Sequence, residues 1–254
     1  MDLNERQQNL VERLRASGYL TVEALAQQFE VTTQTIRRDV ARLSEAGLVK
    51  RYHGGVAWVS SVQNIAYAQR QVLNIEEKQR IAQAVAAEIP NGRSLLINIG
   101  TTTEEVARAL LAHQQLSVVT NNLNVAGILS ANPECEVIVA GGVVRHRDRG
   151  ITGEATIDFI RQFKVDIGII GVSAIDLDGT LRDFDYREVR VAQTIMQQSR
   201  QVWLVADSSK IGRDALVRLG HLSDIHALFT DAPLPPQLAT VVRETGTALH
   251  VGAG

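Results

Sequence analysis

The feature that limits this chain most is an alternation. Apolar, β-branched runs (SLLINIG, LSVVTNN, CEVIVAGG, VDIGIIGVSAI, VWLVADS and IHALFTDA) are separated by helical stretches such as EEVARALLA, EATIDFIRQF and REVRVAQTIMQQ. Runs that are apolar at successive positions suit strands covered on both sides, and strand-helix alternation is how a parallel sheet is connected. An α/β domain built on a largely parallel sheet is therefore expected from about Asn74 onward. Such sheets bind ligands outside the carboxyl ends of their strands, so the residues that follow each run are the candidates for a site.

Those residues form a consistent set. The first run leads into Asn98, Ile99, Gly100, Thr101, Thr102 and Thr103, with a helix expected from about Glu104. Small residues, hydroxyls and helix amides in that place suit an anion, and the segment reads as a phosphate loop. It has neither the lysine and spacing of a nucleotide P-loop nor the three glycines of a dinucleotide fingerprint, which disfavours ATP and NAD. Other run ends contribute Thr120-Asn121-Asn122, Gly141-Gly142 with Arg145, residues 150–154 including Glu154, Ser173 with Asp176, and Asp207-Ser208-Ser209-Lys210. Recurring at one edge of a sheet, they point to a polar pocket.

The first sixty or so residues are organised differently. Leu10, Val11 and Leu14 predict a helix over 5–16 that ends at Gly18, and Tyr19 with Leu20 reads as a short extended piece. Thr21 is placed to cap a second helix with Val22, Leu25, Ala26 and Phe29 on one face. Thr32 or Thr33 can cap a third, running to about Glu45 and closed by Gly47. Short helices in this order, with a tight turn between the last two, make a helix-turn-helix. On the third, Ile36, Val40 and Leu43 point inward and leave Thr33, Gln34, Arg37, Arg38 and Arg42 for solvent or DNA. Arginine forks onto a guanine edge, glutamine pairs with adenine, and first-turn hydroxyls and amides suit phosphate oxygens. The following segment LVKRYHGGVAWV flanks Gly54-Gly55 with apolar residues, a hairpin signal. A β wing carrying Lys50, Arg51 and His53 results.

Net charge is −2 over 254 residues, so contact with nucleic acid has to come from a local patch. Residues 32–53 supply it: Arg37, Arg38, Arg42, Lys50 and Arg51 face only Asp39 and Glu45. Cys135 is the single cysteine, which rules out a disulfide framework or thiolate cluster and reads as a buried, inert thiol. His53, His113, His146, His221, His226 and His250 show no metal-ligand spacing, so neither a metal nor a cofactor is expected. Apolar runs fall short of a membrane span and the start of the chain is charged and amphipathic, so a cytoplasmic location without membrane attachment is expected.

Arg6, Leu10 and Leu14, then Thr32, Thr35, Ile36, Arg37, Arg38, Asp39 and Val40, resemble the amino-terminal signature of the DeoR-type family of sugar-metabolism repressors. The runs IGTT, TNNLNVA, AGG, GITGEAT, DFI-Q-F, FDY-EVR and LVAD-SK are similar to the sensor domain of that family. The resemblance implies a repressor that binds operator DNA with Thr35, Arg37 and Arg38 in or near the interface, while Asp39 serves as a structural partner for a nearby arginine. It implies release by a small phosphorylated metabolite, glycerol-3-phosphate or another sugar phosphate, and a homo-oligomer, a tetramer. It further implies a sensor fold like that of phosphosugar isomerases, with Gly100 to Thr102 on the phosphate and Asn121, Gly142, Glu154, Asp207 and Lys210 in the pocket. Two positions depart from the family: Asn98 stands where aspartate is frequent, and Ala192 and Gln193 stand where lysine and arginine are common. An isomerase-type enzyme using Asp176, Glu188, Asp207 and Lys210 is the alternative, but no pairing of a base with a proton donor supports it and it leaves the DNA-binding segment unexplained. The expected organisation is a winged helix-turn-helix over 1–57, a connector over 58–73 and a sensor domain over 74–254.

Overall fold

A computed structural model describes residues 3–17, 19–46, 48–52, 54–58 and 67–252. The chain divides into two compact units, Met1–Asn74 and Ile75–Gly254.

In the first unit, helix α1 (Glu5–Ser17) is followed by strand β1 (Tyr19–Thr21), helix α2 (Val22–Gln28) and helix α3 (Thr33–Glu45). Each later helix starts where a threonine hydroxyl meets a backbone amide of the first turn. Thr21 accepts from the Ala24 amide at 3.1 Å, and Thr32 accepts from the Thr35 amide at 3.2 Å. Leu10, Leu14, Leu25, Ile36 and Leu43 are fully buried together, so the inward stripes read from spacing form one core. Strands β2 (Val49–Tyr52) and β3 (Gly55–Trp58) form the wing hairpin, and β1 pairs with β3 on its other side. Gly18, Gly47 and His53 lie outside the described residues.

The connector expected over 58–73 needs revision at both ends. Trp58 belongs to β3, opposite Val49, and Tyr67–Val72 forms a short helix, α4. A helix of this length is too brief to show a periodicity. Local contacts mark it instead: the Gln71 amide donates to the Tyr67 hydroxyl one turn back at 2.7 Å, and Leu73 is buried with Tyr19 and Ala57. Residues 59–66 lie outside the described set.

The second unit opens with α5 (Ile75–Glu88), whose Ile81 and Val85 are buried as expected. Next come β4 (Ser94–Ile97), α6 (Thr101–Ala109), β5 (Leu116–Thr120), α7 (Leu123–Leu129) and β6 (Cys135–Val139). A two-stranded hairpin, β7 (Val143–Val144) with β8 (Ile151–Thr152), precedes α8 (Glu154–Ile160) and β9 (Val165–Gly171). The chain continues through β10 (Ala174–Ile175), β11 (Thr180–Asp183), α9 (Tyr186–Gln197), β12 (Ser199–Val205) and β13 (Val217–His221). It ends in β14 (Ala227–Thr230), α10 (Pro236–Thr245) and β15 (Ala248–Val251).

Seven of these strands make one sheet in the order β15-β14-β12-β9-β4-β5-β6, and every neighbouring pair is parallel. β10, β11 and β13 form a small antiparallel sheet. Alternate side chains of the large sheet enter two cores. Leu95, Ile97, Val118, Ile169 and Val205 pack on the side of α5, α6 and α7, and Leu96, Val119, Ile170, Leu204 and Leu228 pack on the side of α8, α9 and α10. Covering on both faces is why the runs are apolar at successive positions. The chain enters the sheet at β4, travels to one edge through β5 and β6, then returns to β9 and travels to the other. The order therefore reverses between β4 and β9, the place where an open α/β sheet leaves a crevice at its strand ends.

Candidate functional site

On α3 the polar positions lie where the sequence placed them. Gln34, Arg38 and Arg42 follow one another at four-residue intervals on one exposed row, with exposed Arg37 beside it. Among the described residues, no carboxylate is within salt-bridge distance of Arg37, Arg38, Arg42 or Arg51. The acid closest in sequence, Asp39, is buried and committed elsewhere: it accepts from Arg6 Nε at 2.6 Å and from Gln7 Nε2 at 2.9 Å. That pairing, which raises the Arg6 pKa through its hydrogen bond to Asp39, keeps the acid from neutralising the exposed arginines. Thr32 is the helix cap and Thr33 the first helical residue. The Thr32 and Thr35 hydroxyls lie 3.0 Å apart, so both are tied to the helix start as well as facing outward. Arg51 is exposed and Lys50 half-buried on β2.

In the second unit the candidate residues follow strand ends of the parallel sheet. Asn98 follows β4, and its amide donates to the Ile169 carbonyl at 3.0 Å, tying the loop to β9. Helix α6 starts at Thr101 and not near Glu104, with Gly100 as its cap at φ 154. The three threonines are thus the first turn itself, and the loop is shorter than expected. Gly100, Thr101 and Thr102 present first-turn amides, the groups of a helix that lack internal partners. The Thr103 hydroxyl is turned back onto the loop, donating to the carbonyls of Asn98 and Gly100 at 2.8 Å each, so it shapes the turn.

Asn121 follows β5 and is fully buried. Its Nδ2 donates to the Ile151 carbonyl at 3.0 Å while the Ile151 amide donates to its own carbonyl at 2.7 Å. Glu104 and Asn124, which run-end spacing does not single out, complete this corner with Asn122. Glu104 Oε1 accepts from Asn122 Nδ2 at 3.2 Å and from Asn124 Nδ2 at 3.1 Å, and Glu104 is 2% exposed. A glutamate in the first turn ordinarily reads as a surface partner of the helix dipole; only the asparagine-rich TNNLN segment hinted that it had buried donors to satisfy.

Asp207 and Lys210 pair with each other at 4.0 Å after β12, and Asp207 also accepts from the Ser209 amide at 3.1 Å. Other expected pocket members are occupied elsewhere. Arg145 lies in a partly buried network: Nη2 reaches Asp148 at 2.6 Å, Nη1 reaches Asp185 at 3.3 Å, and Glu188 also pairs with Nη1. An arginine engaged by three carboxylates is a brace between the β7–β8 hairpin and the start of α9, not a free phosphate ligand. Glu154 is exposed and pairs with Arg190. Asp176 pairs with Arg182 at 2.5 Å across the β10–β11 hairpin. Gly142 is exposed, and a side chain there would run into the Thr156 hydroxyl and Ile151, which makes its role steric. Ser173 donates to Asp183 at 2.9 Å. These partners lie up to dozens of residues away in sequence, beyond what run-end spacing can reveal.

Taken together, a winged helix-turn-helix with an uncompensated cationic row and a parallel α/β unit with polar residues at its strand ends define a transcription regulator with a separate sensor domain. Residues 6–62 match the model of the DeoR-like helix-turn-helix domain and residues 73–232 that of the DeoR C-terminal sensor domain. The chain belongs to the DeoR family of DNA-binding transcriptional repressors. It is 48% identical over 244 residues to the glycerol-3-phosphate regulon repressor of Escherichia coli (strain K12), covering 96% of this chain and 97% of that one. It is 49% identical to the repressor of the same name from Haemophilus influenzae, covering 96% and 95%. With the HTH-type transcriptional repressor CsqR of Escherichia coli it shares 46% over 233 residues, covering 92% and 89%. These relatives are repressors, which sets the isomerase alternative aside. Among solved structures, ribose 5-phosphate isomerase A from Neisseria gonorrhoeae is a distant likeness: 14% identity, 54% of this chain, 53% of that one and a TM-score of 0.40. No helix among the described residues is long and apolar enough to cross a membrane.

Proposed function

We propose that this repressor governs a glycerol-phosphate regulon and leaves its operator when glycerol-3-phosphate occupies the crevice between β4 and β9. The observation that carries the DNA half is the exposed row Gln34, Arg38 and Arg42, kept cationic because Asp39 is spent on Arg6 and Gln7. Gln34 and Arg38 are assigned to base edges, and Arg37, Arg42, Lys50, Arg51, His53 and the Thr32, Thr33 and Thr35 hydroxyls to phosphates and adjoining groove edges. The effector half rests on the α6 amino terminus, where Gly100, Thr101 and Thr102 offer amides beside the buried Asn98 and Asn121. Asp207 and Lys210 complete the crevice from β12. The full-length relation to two repressors named for this regulon supports the choice of effector.

Repression follows by occupancy, and induction by linkage: an effector that binds better to the form less able to hold DNA lowers operator affinity by the same factor. A reading head of this size contacts few base pairs, so a cytoplasmic homo-oligomer, a tetramer engaging repeated half-sites, is the assembly we assign. The test is a band-shift titration of the full-length protein on its own upstream DNA, repeated with glycerol-3-phosphate and with hexose and ketose phosphates. Specific binding released by glycerol-3-phosphate at lower concentration than by the others is the expected result. Release by a hexose phosphate alone overturns the choice of effector, and no specific binding at all overturns the reading.

A further inference from the structure

We infer that Asn98 Oδ1 and Asn121 Oδ1 are acceptors for hydroxyl groups of the effector, so that the pocket selects a phosphate ester carrying free alcohol donors against the corresponding ketone. This rests on the crevice being the effector site. Neither oxygen meets a donor, although Asn98 is 5% exposed and Asn121 0%. Native folds leave few such buried acceptors unmet, and each one calls for a reason.

The orientation of Asn121 is settled by its neighbours. With Nδ2 on the Ile151 carbonyl, exchanging the two ends of the amide would set oxygen against oxygen, so Oδ1 is the end left over. Register brings the second acceptor alongside. Ile97 lies opposite Thr120 in parallel strands, which makes Asn98 and Asn121 the next pair, about 4.8 Å apart across the ladder. Alternation turns both toward the side of Leu96 and Val119. Two residues beyond Asn98, Gly100 caps α6, whose first-turn amides lack partners within the helix. Donors for a phosphate and acceptors for hydroxyls thus stand at the same carboxyl edge of the sheet, the complement of a short polyol phosphate.

Electrostatics favours amides in these positions. A carboxylate would accept hydroxyl hydrogens too, but would set a negative charge beside the phosphate; an amide oxygen accepts them without that repulsion. A ketone oxygen at the same place brings lone pairs against lone pairs and leaves the amide unmet. Closed off from solvent, such acceptors discriminate more strongly than exposed ones do.

The experiment is isothermal titration of the full-length protein with inorganic phosphate, glycerol-3-phosphate, dihydroxyacetone phosphate, 1,3-propanediol phosphate and 1,2-propanediol 1-phosphate. The last two each lack one hydroxyl. Glycerol-3-phosphate is expected to bind at least about tenfold more tightly than the ketone and than one or both deoxy analogues. In Asn98→Ala and Asn121→Ala that ratio is expected to shrink toward one. Wild-type protein alone decides the matter if a variant fails to fold. Esters that bind without regard to their hydroxyls overturn the inference and leave the effector site standing. Failure of every phosphate to bind overturns both. An equal loss for all ligands in the variants assigns the asparagines a structural role and overturns the inference.

Discussion

Asp39 on α3 is joined to Arg6 on α1 by a hydrogen-bonded ion pair of 2.6 Å, and the same carboxylate accepts the buried Gln7 amide at 2.9 Å. One acid thereby fixes the packing of the reading helix against the first. In Asp39→Ala the Gln7 amide loses its acceptor in a buried place, a change that costs roughly 1–3 kcal/mol. Thermal unfolding of the full chain is expected to show an earlier loss of the amino-terminal unit, with unchanged effector binding.

Arg38→Ala and Arg42→Ala separate base reading from phosphate holding. If Arg42 holds a phosphate, its loss weakens binding to all sequences alike and lowers the slope of log affinity against log salt by roughly one. Arg38→Ala is expected to cost about 1–3 kcal/mol on the operator and much less on unrelated DNA. Anisotropy titrations at several salt concentrations on both duplexes check this.

The brace around Arg145 makes a stability prediction. Replacing Arg145 with Met takes the 2.6 Å partner from Asp148, which is 1% exposed, and leaves Asp185 and Glu188 to the more exposed Arg147 and Arg187. Removing one partner from a buried ionic network costs about 3–5 kcal/mol, so the melting temperature of the sensor unit is expected to fall clearly while operator affinity without effector is retained. An unchanged melting temperature refutes the brace.

Acid tests the same corner. Burial pushes the Asp185 pKa up, but hydrogen bonds from Arg187 and the charges of Arg187 and Arg145 outweigh it, and the net shift is downward. A folded-state pKa below that of the unfolded chain gives stability that is complete above about pH 5 and is lost as the pH falls through the lowered value. Circular dichroism against pH is expected to show Arg187→Ala losing structure at a higher pH than the parent chain.

Much of this architecture was legible because its causes are local. Threonine caps at 21 and 32, the inward stripe of Ile36, Val40 and Leu43, and the Gly54-Gly55 hairpin each act over a few residues, and the structure has them all. The apolar runs were legible because covering both faces leaves no other composition. Strand β15 carries no such signal: as an edge strand with Leu249 and Val251 partly exposed, it lacks the continuous apolar signature. The early start of α6 was hidden by three β-branched threonines, weak helix formers that here gain from Gly100 and from the Thr103 hydroxyl. Of the candidate pocket, position along the strands is enough to propose the loop and its neighbouring asparagines, whereas the partners of Arg145, Glu154 and Asp176 depend on tertiary contacts.

Cys135 is 9% exposed in β6, and burial raises its thiol pKa. Because no other sulfhydryl exists in the chain, the native protein is expected to react slowly with maleimides at neutral pH. A cysteine introduced at an exposed position of the reading helix can therefore carry a fluorophore almost free of background labelling, which turns docking onto a duplex and release from it into a signal followed in real time.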